Sequence, residues 1–221
     1  MKDNIYNFFE NIYKNNDKLL EDNSNSLINK YIEHIPKGRV LDLGVGDGRN
    51  AIFLSKKGFM FEGVDISDSL VRKLKDINEL EKLGIDFKVC DVRKFDIIED
   101  SYTFIICTSV MHFFRKAEVK ELIENMKKGL KIGGYVYISV FSTQDPTYAK
   151  RLKSNKVELV GDNEIYLKEE GIFRSYYSKD EMLSYFDNIE MVSYSDSYFL
   201  DLSHGEPHYH GSITYLGKKV L

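Results

Sequence analysis

An apolar run that leads directly into closely spaced glycines, within residues 39–50, constrains the fold of this chain more than any other segment. The run from Arg39 to Leu43 has the composition of a buried strand, and Gly44, Gly46 and Gly48 follow it before a helical pattern begins. Glycine lets the backbone turn sharply and lie against a ligand, and a helix N-terminus offers unpaired N–H groups. The segment therefore predicts a strand, a ligand-binding loop and a helix.

The spacing of these glycines limits the class of ligand. A dinucleotide loop requires G-x-G-x-x-G, but Arg49 occupies the third glycine position and Gly48 comes one residue early. The Gly-Lys-Ser/Thr of a phosphate-binding loop does not follow either. The spacing D-x-G-x-G-x-G instead resembles motif I of the class I S-adenosylmethionine-dependent methyltransferases. This resemblance implies that Asp42, Gly44 and Gly46 bind the cofactor, and a glycine-rich turn without a ligand is the alternative.

A second acidic residue follows the next predicted strand, at 59–64. An adenosine cofactor needs a carboxylate that accepts the ribose hydroxyls, about twenty residues beyond the glycines. Asp65, with Ile66 beside it, occupies that position, and Ser67 is suited to cap the helical stretch from Leu70 to Leu83. An aspartate that merely ends a strand is the alternative, but position and spacing favour ribose binding.

A third strand, at 86–90, precedes Asp91 and Val92, and this segment resembles the one in which methyltransferases of this class hold adenine. The resemblance implies that the Asp91 carboxylate accepts from the exocyclic amine and that the Val92 N–H donates to a ring nitrogen. Taken alone, a loop aspartate more often faces water or makes a turn.

Residues 1–35 have amphipathic helical spacing and are predicted to form a lid, in which Tyr13 is the candidate ring over the cofactor.

Length and composition favour one catalytic domain. The 221 residues are enough for a single α/β domain, 1–221, that needs no disulfide or metal to hold it together. A formal net charge of −4 argues against nucleic acid as a partner. The absence of a targeting segment or of a long apolar run predicts a cytoplasmic protein without a membrane anchor. Cys90 and Cys107 lie in or beside apolar runs and are expected to be small buried side chains.

Alternation of apolar runs with helical periods predicts the fold class. We expect a Rossmann-like class I methyltransferase sandwich, with a seven-stranded, mostly parallel sheet, an antiparallel last strand and helices on both faces. The predicted strands are 39–43, 59–64, 86–90, 102–108, 134–141, 189–197 and 211–218. A long polar connection, 142–178, is predicted to be an insertion on the substrate side, because connections of this length are often functional.

Several segments narrow the resemblance to the tellurite-resistance methyltransferases of the TehB type. The residues from Leu41 to Asn50 resemble the opening motif of that family, and Lys131 to Tyr135 resembles its approach to the fifth strand, with Ile132 where proline is common. Near the C-terminus, Gly205, Glu206 and His208 match a Gly-Glu-x-His element, which implies that His208 faces the acceptor. Tyr209 stands where the family has an arginine.

Three histidines are the candidate catalytic residues: His208, His210 and His112. Neutral imidazole can take a proton from an acceptor or polarise it, and methyl transfer otherwise requires mainly alignment. A packing role is the alternative for His112. His204, Glu206, His208 and His210 also form a cluster that is an alternative metal site, but one short segment supplies every ligand, so we predict none.

The function predicted from the sequence is S-adenosylmethionine-dependent, in-line methyl transfer to a small-molecule acceptor. The alternative is a non-catalytic module that binds the cofactor or confers metal or metalloid resistance, and the glycine spacing disfavours a nicotinamide-dependent reductase. Tyr209 in place of an arginine favours an uncharged or soft acceptor, because guanidinium groups are the usual means of binding oxyanions. Arg151 or Arg174 from the long connection would supply the missing charge. The sequence leaves the oligomeric state open.

Overall fold

A seven-stranded sheet dominates the computed structural model, which describes residues 4–14, 26–201 and 207–221. The strands, including those of a smaller second sheet, are β1 (Arg39–Leu43), β2 (Met60–Asp65), β3 (Asp86–Val89), β4 (Tyr102–Thr108), β5 (Leu130–Phe141), β6 (Val157–Gly161), β7 (Glu164–Leu167), β8 (Ile172–Ser175), β9 (Ile189–Asp201) and β10 (His208–Lys219). The helices are α1 (Asn4–Lys14), α2 (Ser26–Tyr31), α3 (Arg49–Lys56), α4 (Asp68–Glu81), α5 (Lys116–Gly129), α6 (Pro146–Leu152) and α7 (Lys179–Ser184).

The strand order of the large sheet is β3-β2-β1-β4-β5-β10-β9. Strands β1 to β5 pair in parallel, whereas β10 lies antiparallel to both β5 and β9. A mostly parallel sheet with an antiparallel last strand was the predicted fold class, and it is confirmed. In a parallel sheet the carboxyl ends of the strands share one edge, which is where such folds bind ligands.

Apolar side chains cover both faces of this sheet, as its long apolar runs require. On one face, Val40 of β1 packs with buried residues of α3 and α4, such as Leu54 and Leu70. On the other face, Leu41 of the same strand packs with buried residues of α5, such as Ile123. Alternate residues of one strand point to opposite faces, so β1 contributes to both halves of the core.

The segment 142–178 corrects one expectation from the sequence. It was treated as a polar connection without strands, but it contains α6 and a separate antiparallel sheet in the order β6-β7-β8. These strands have only four or five residues each, and β6 is largely exposed. Such short, half-polar strands give little apolar periodicity, which explains why the pattern did not reveal them. The large sheet also has longer strands than predicted, since β5 begins at Leu130 and β9 extends to Asp201.

Helix α1 packs against α4 near the carboxyl end of β2. The Tyr6 hydroxyl donates to Asp68, and the Lys73 ammonium donates to the Tyr13 carbonyl oxygen. Glu10 accepts hydrogen bonds from the Ser67 hydroxyl at 2.7 Å and from the Ser69 N–H at 3.2 Å. These contacts hold α1 across one end of the sheet. Among the helices in the described residues, none is long and apolar enough to cross a bilayer.

Candidate functional site

The glycine loop follows β1 and turns into α3. Gly44, Gly46 and Gly48 all have positive φ angles, +90°, +54° and +79°. This region of backbone conformation favours glycine over other residues. A Cβ on Gly44 would also clash with the side chain of Val110, which follows β4. The loop therefore lies close to the β4 end of the sheet, and glycine is required there on both grounds.

Asp42 lies beneath this loop and is almost completely buried. Neither of its carboxylate oxygens has a partner at hydrogen-bonding geometry among the described residues. Burial raises the pKa of Asp42 well above its usual value, while the Asn50 side chain acts in the opposite direction. A buried carboxylate without partners fits a site that is completed by a donor group or a cation of a ligand.

Asp65 ends β2 directly beside the loop. Its carboxylate accepts hydrogen bonds from the Gly46 N–H at 3.2 Å and from the Ser67 N–H at 3.1 Å. Burial raises its pKa, although these hydrogen bonds oppose the shift. Ser67 caps α4 by accepting from the Leu70 N–H, which confirms the predicted cap. The structure therefore brings the predicted ribose carboxylate and the glycine loop into direct contact, with the half-buried Ile66 next to them.

Asp91 follows β3 on the same edge of the sheet, but its carboxylate is already engaged. It accepts hydrogen bonds from Nε of Arg93 at 3.0 Å and from Nη2 of Arg93 at 2.6 Å. Burial acts to raise the pKa of Asp91, but the contacts with Arg93 lower it below its usual value. Arg93, which was not among the predicted site residues, also donates to Glu118. Val92 is buried in the adjacent core.

Tyr13 of α1 lies over the glycine loop. A Cβ placed on Gly46 would be 3.6 Å from the Tyr13 hydroxyl oxygen. Burial and the nearby Asp65 raise the pKa of Tyr13, so its hydroxyl stays protonated at neutral pH. The Tyr13 ring stacks on Phe9 with ring centres 6.4 Å apart, and Phe9 meets Phe113 edge-on at 4.7 Å. Helix α1 thus extends from the glycine loop to the residues that follow β4.

Two of the candidate histidines stack on one phenylalanine, Phe141, near the ends of β4 and β5. The His112 ring stacks on Phe141 at 3.9 Å between ring centres, and His210 of β10 stacks on Phe141 at 4.7 Å. His112 is buried, and its Nδ1 has no partner among the described residues. Burial, together with the positive charges of Arg174 and Arg151, lowers the pKa of His112 well below its usual value. His112 is therefore neutral at pH 7.

His208, Asp145 and His210 form a hydrogen-bonded chain. Nδ1 of His210 lies 2.8 Å from Oδ2 of Asp145, and Nε2 of His210 lies 3.0 Å from Nε2 of His208. Asp145 also caps α6 by accepting from the Thr147 and Tyr148 N–H groups, and it accepts from the Gly211 N–H. Asp145 was not among the residues predicted from the sequence, although an Asp-Pro pair before a helical segment is a recognisable N-terminal signal.

Arg174 and Arg151 reach the same region from the insertion. Arg174 of β8 lies with its guanidinium carbon 3.7 Å from the centre of the Phe113 ring. Nη1 of Arg151 donates to the Tyr176 hydroxyl at 3.2 Å. Two cations of the insertion therefore lie near His112. They supply positive charge in a region where Tyr209 replaces the arginine of the family.

The predicted site residues fall into two groups along one edge of the sheet. Those predicted to bind the cofactor lie at the ends of β1, β2 and β3, under α1, and the histidines lie at the ends of β4, β5 and β10. His204, Gly205 and Glu206 lie outside the described residues, as do Leu19 and Leu20 of the predicted lid. In the part of the chain that the structure describes, no three His, Cys, Asp or Glu side chains form a group suited to a metal ion.

Comparisons with known proteins address the family. The family model described as "Tellurite resistance protein TehB" matches residues 5–199. A relative from Haemophilus influenzae named "Probable S-adenosyl-L-methionine-dependent methyltransferase TehB" is 34% identical over 108 residues, which are 48% of this chain and 37% of that protein. The matched part therefore spans less than half the length of that relative.

Solved structures share the fold. The crystal structure of TehB from H. influenzae superposes with a TM-score of 0.69 at 23% identity, covering 89% of this chain and 62% of that one. A SAM-dependent methyltransferase from Methanosarcina mazei superposes with a TM-score of 0.70 at 18% identity, covering 90% of this chain and 99% of that one. The two structures confirm the Rossmann-like methyltransferase fold. The family match extends over most of the chain, so the chain belongs to the TehB family of class I S-adenosylmethionine-dependent methyltransferases.

Proposed function

We propose that this chain transfers a methyl group from S-adenosylmethionine to a small-molecule acceptor. One observation carries the proposal: the glycine loop with Asp65 and the histidines with Arg174 lie along one edge of the same sheet, and α1 covers both. The names of the relatives describe methyltransferases, which disfavours the non-catalytic alternative. Three further expectations from the sequence remain predictions: that nucleic acid is not a partner, that the protein is cytoplasmic, and that residues 1–221 form one domain.

The residues at the ends of β1 and β2 fit the cofactor. In this proposal Asp65 accepts the ribose hydroxyls, and the Asp42 carboxylate, whose oxygens find no partner at hydrogen-bonding geometry in the described residues, accepts from a donor group of the bound cofactor. Tyr13 covers the loop at Gly46. Val92 and Ile66 supply apolar surface for the base. The Asp91 carboxylate, which Arg93 holds in place, accepts from the exocyclic amine of the base. The bound cofactor supplies an electrophilic methyl group, and the protein need not generate one.

The histidines are proposed to handle the proton of the acceptor. A carboxylate can only accept, so Nδ1 of His210 carries a hydrogen and donates it to Asp145. Nε2 of His210 then accepts, either from Nε2 of His208 or from the acceptor. The His208–His210 pair can therefore take up one proton, and the ionised Asp145 stabilises the resulting charge. The buried, neutral His112, which also stacks on Phe141, offers a second lone pair.

Transfer of a labelled methyl group tests this proposal. The full chain is incubated with S-adenosylmethionine that carries a labelled methyl group and with thiols, phenols, amines, carboxylates and selenite in separate reactions. We expect S-adenosylhomocysteine and one labelled product to form together in at least one reaction. Binding of the cofactor without any transfer of label would support the non-catalytic module instead. Absence of cofactor binding would contradict both.

A further inference from the structure

The small sheet β6-β7-β8 is fixed against the ends of the large sheet. The Ser175 hydroxyl donates to the Phe114 carbonyl oxygen at 2.6 Å. Buried Glu164 accepts from the Lys116 N–H at 2.6 Å and from Nε of Arg115 at 3.2 Å, both at the start of α5. These contacts hold β8 next to the turn that contains His112. The side chain of Arg174, which precedes Ser175, is therefore held in place by the fold.

Arg174 is buried, and no carboxylate in the part of the chain that the structure describes pairs with it. Its side chain is only 9% exposed, and its Nε and Nη1 atoms have no hydrogen-bond partner among the described residues. Its close neighbours are aromatic rings: Phe113 at 3.7 Å, Phe8 at 5.8 Å and Phe141 at 5.9 Å from the guanidinium carbon. Aromatic faces attract a guanidinium, but they do not accept its hydrogen bonds as a carboxylate does.

The charges around Arg174 leave its positive charge largely uncompensated. Burial lowers the pKa of Arg174, and the positive charge of Arg151 acts in the same direction. Tyr176 and Glu170 act in the opposite direction, but Glu170 is exposed to solvent. His112, which the charge of Arg174 helps to keep neutral, stacks on Phe141. A buried charge without a partner destabilises a folded protein strongly, so such a group is expected to be retained for a ligand.

We propose that Arg174 binds the anionic group of an organic acceptor of the aromatic carboxylate class. This inference rests on the proposed methyl transfer and specifies its substrate. It replaces the expectation of an uncharged acceptor, which was based on Tyr209, because β8 supplies the guanidinium that the C-terminal segment lacks. A guanidinium has two forks, Nε with Nη2 and Nη1 with Nη2, and each fork of Arg174 contains one of the unpaired groups and can donate to the two oxygens of one carboxylate.

The aromatic surface favours an organic anion over a small inorganic one. Phe141 forms a continuous layer with Tyr176 at 6.0 Å, and Tyr176 stacks on Tyr148 at 4.1 Å. Together with Phe113, these rings surround the Arg174 guanidinium with apolar aromatic side chains, among which Phe141 is partly exposed. A planar monoanion uses both features, whereas a doubly charged oxyanion is strongly hydrated and would gain little from the rings.

Calorimetry with matched probes tests the proposal. The full chain is saturated with S-adenosylhomocysteine and titrated with benzoate, phenylacetate and indole-3-acetate, and with the neutral amide of each. We expect at least one carboxylate to bind about tenfold or more tightly than its amide, and Arg174→Met to abolish that preference. Arg174→Lys should retain part of it, because lysine keeps the charge but not the fork. Lys156→Met, which removes an exposed cation of the same insertion, should leave the preference unchanged.

The outcomes separate this inference from the proposed function. If S-adenosylhomocysteine fails to bind, the proposed function itself is wrong. If it binds and every carboxylate binds no better than its amide, the anion site is wrong. A preference that survives in a folded Arg174→Met variant assigns the site to another residue and overturns the proposal. Selenite and tellurite are titrated in parallel, and Arg174-dependent binding of these anions without binding of any carboxylate would overturn the organic class.

Discussion

Nδ1 of His210 donates to Oδ2 of Asp145 across 2.8 Å, although the two residues are 65 positions apart in the chain. The same carboxylate accepts from the Gly211 N–H at 3.0 Å. Burial acts to raise the pKa of Asp145, but the hydrogen bonds from His210 and Thr147 lower it, so the carboxylate is ionised at neutral pH. It therefore sets which nitrogen of His210 carries the hydrogen.

Replacing this carboxylate should impair turnover without impairing cofactor binding. In Asp145→Asn, an amide nitrogen at the position of Oδ2 cannot accept from His210 and Gly211. We expect methyl transfer to fall by about tenfold to a hundredfold and stability to fall by about 1–3 kcal/mol. Labelled-methyl assays and urea unfolding measure the two effects. Asp196→Asn is the control, since that carboxylate accepts from Ser142 and Gln144 and has no hydrogen bond to a histidine of the described segments. Normal turnover in Asp145→Asn would refute the positioning role.

A side chain at Gly44 should lower the stability of the fold more than a side chain at a glycine in open space. At the second position only the backbone conformation is strained. Gly44 and Gly58 have similar φ angles, +90° and +83°, but only at Gly44 would a Cβ clash with Val110. We expect Gly44→Ala to destabilise the fold by about 1–3 kcal/mol more than Gly58→Ala. Thermal unfolding of the two variants gives the difference. Equal losses would show that the clash is relieved easily.

The parts of the fold that the sequence predicted share one physical property. Strands such as β1 and β4 are buried along almost their whole length because both faces of the sheet are covered, so their mainly apolar runs are easy to recognise. Asp65 was predictable because its place after β2 follows from chain order alone. The short strands of the insertion were not, since they span only four or five positions and their burial does not alternate regularly.

The residues that the sequence could not place depend on long-range packing. Asp145 meets His210 only because β10 lies antiparallel beside β5. Arg174 was considered as a source of charge, but its burial without a carboxylate follows from how β8 packs against the turn at His112, which no local pattern encodes. The hydrogen bond from Arg93 to Asp91 could have been predicted from the sequence, because the two residues are only two positions apart.

His112 should make stability depend on pH. Its pKa is lowered in the folded state by burial, so the unfolded chain binds a proton more readily than the folded chain. Its contribution is complete above the unfolded pKa of about 6.5 and declines as pH falls below that value. Between pH 7.5 and 5.5, we expect a loss of about 1.4 kcal/mol that His112→Phe does not show. Urea unfolding at both pH values measures this, and equal losses in the two proteins would contradict it.

Arg174→Met should stabilise the protein. The substitution removes a buried guanidinium whose Nε and Nη1 are unpaired and keeps an apolar side chain against Phe113. The relief of the buried charge should exceed the lost cation–π attraction, giving a gain of about 1 kcal/mol or more. Lys156→Met, at an exposed pair with Glu169, should change stability by less than about 0.5 kcal/mol. A marked loss of stability in Arg174→Met would mean that the guanidinium is structural.

Calorimetric titration of S-adenosylhomocysteine tests the cofactor site most directly. We expect the full chain to bind it and not to bind NAD, because the loop lacks the dinucleotide spacing. Asp65→Asn should weaken binding by about 1.5–3 kcal/mol, whereas Asp47→Asn, whose carboxylate pairs with Arg49 in the same loop, should have little effect. Unchanged affinity in Asp65→Asn, or tight binding of NAD by the full chain, would contradict the account.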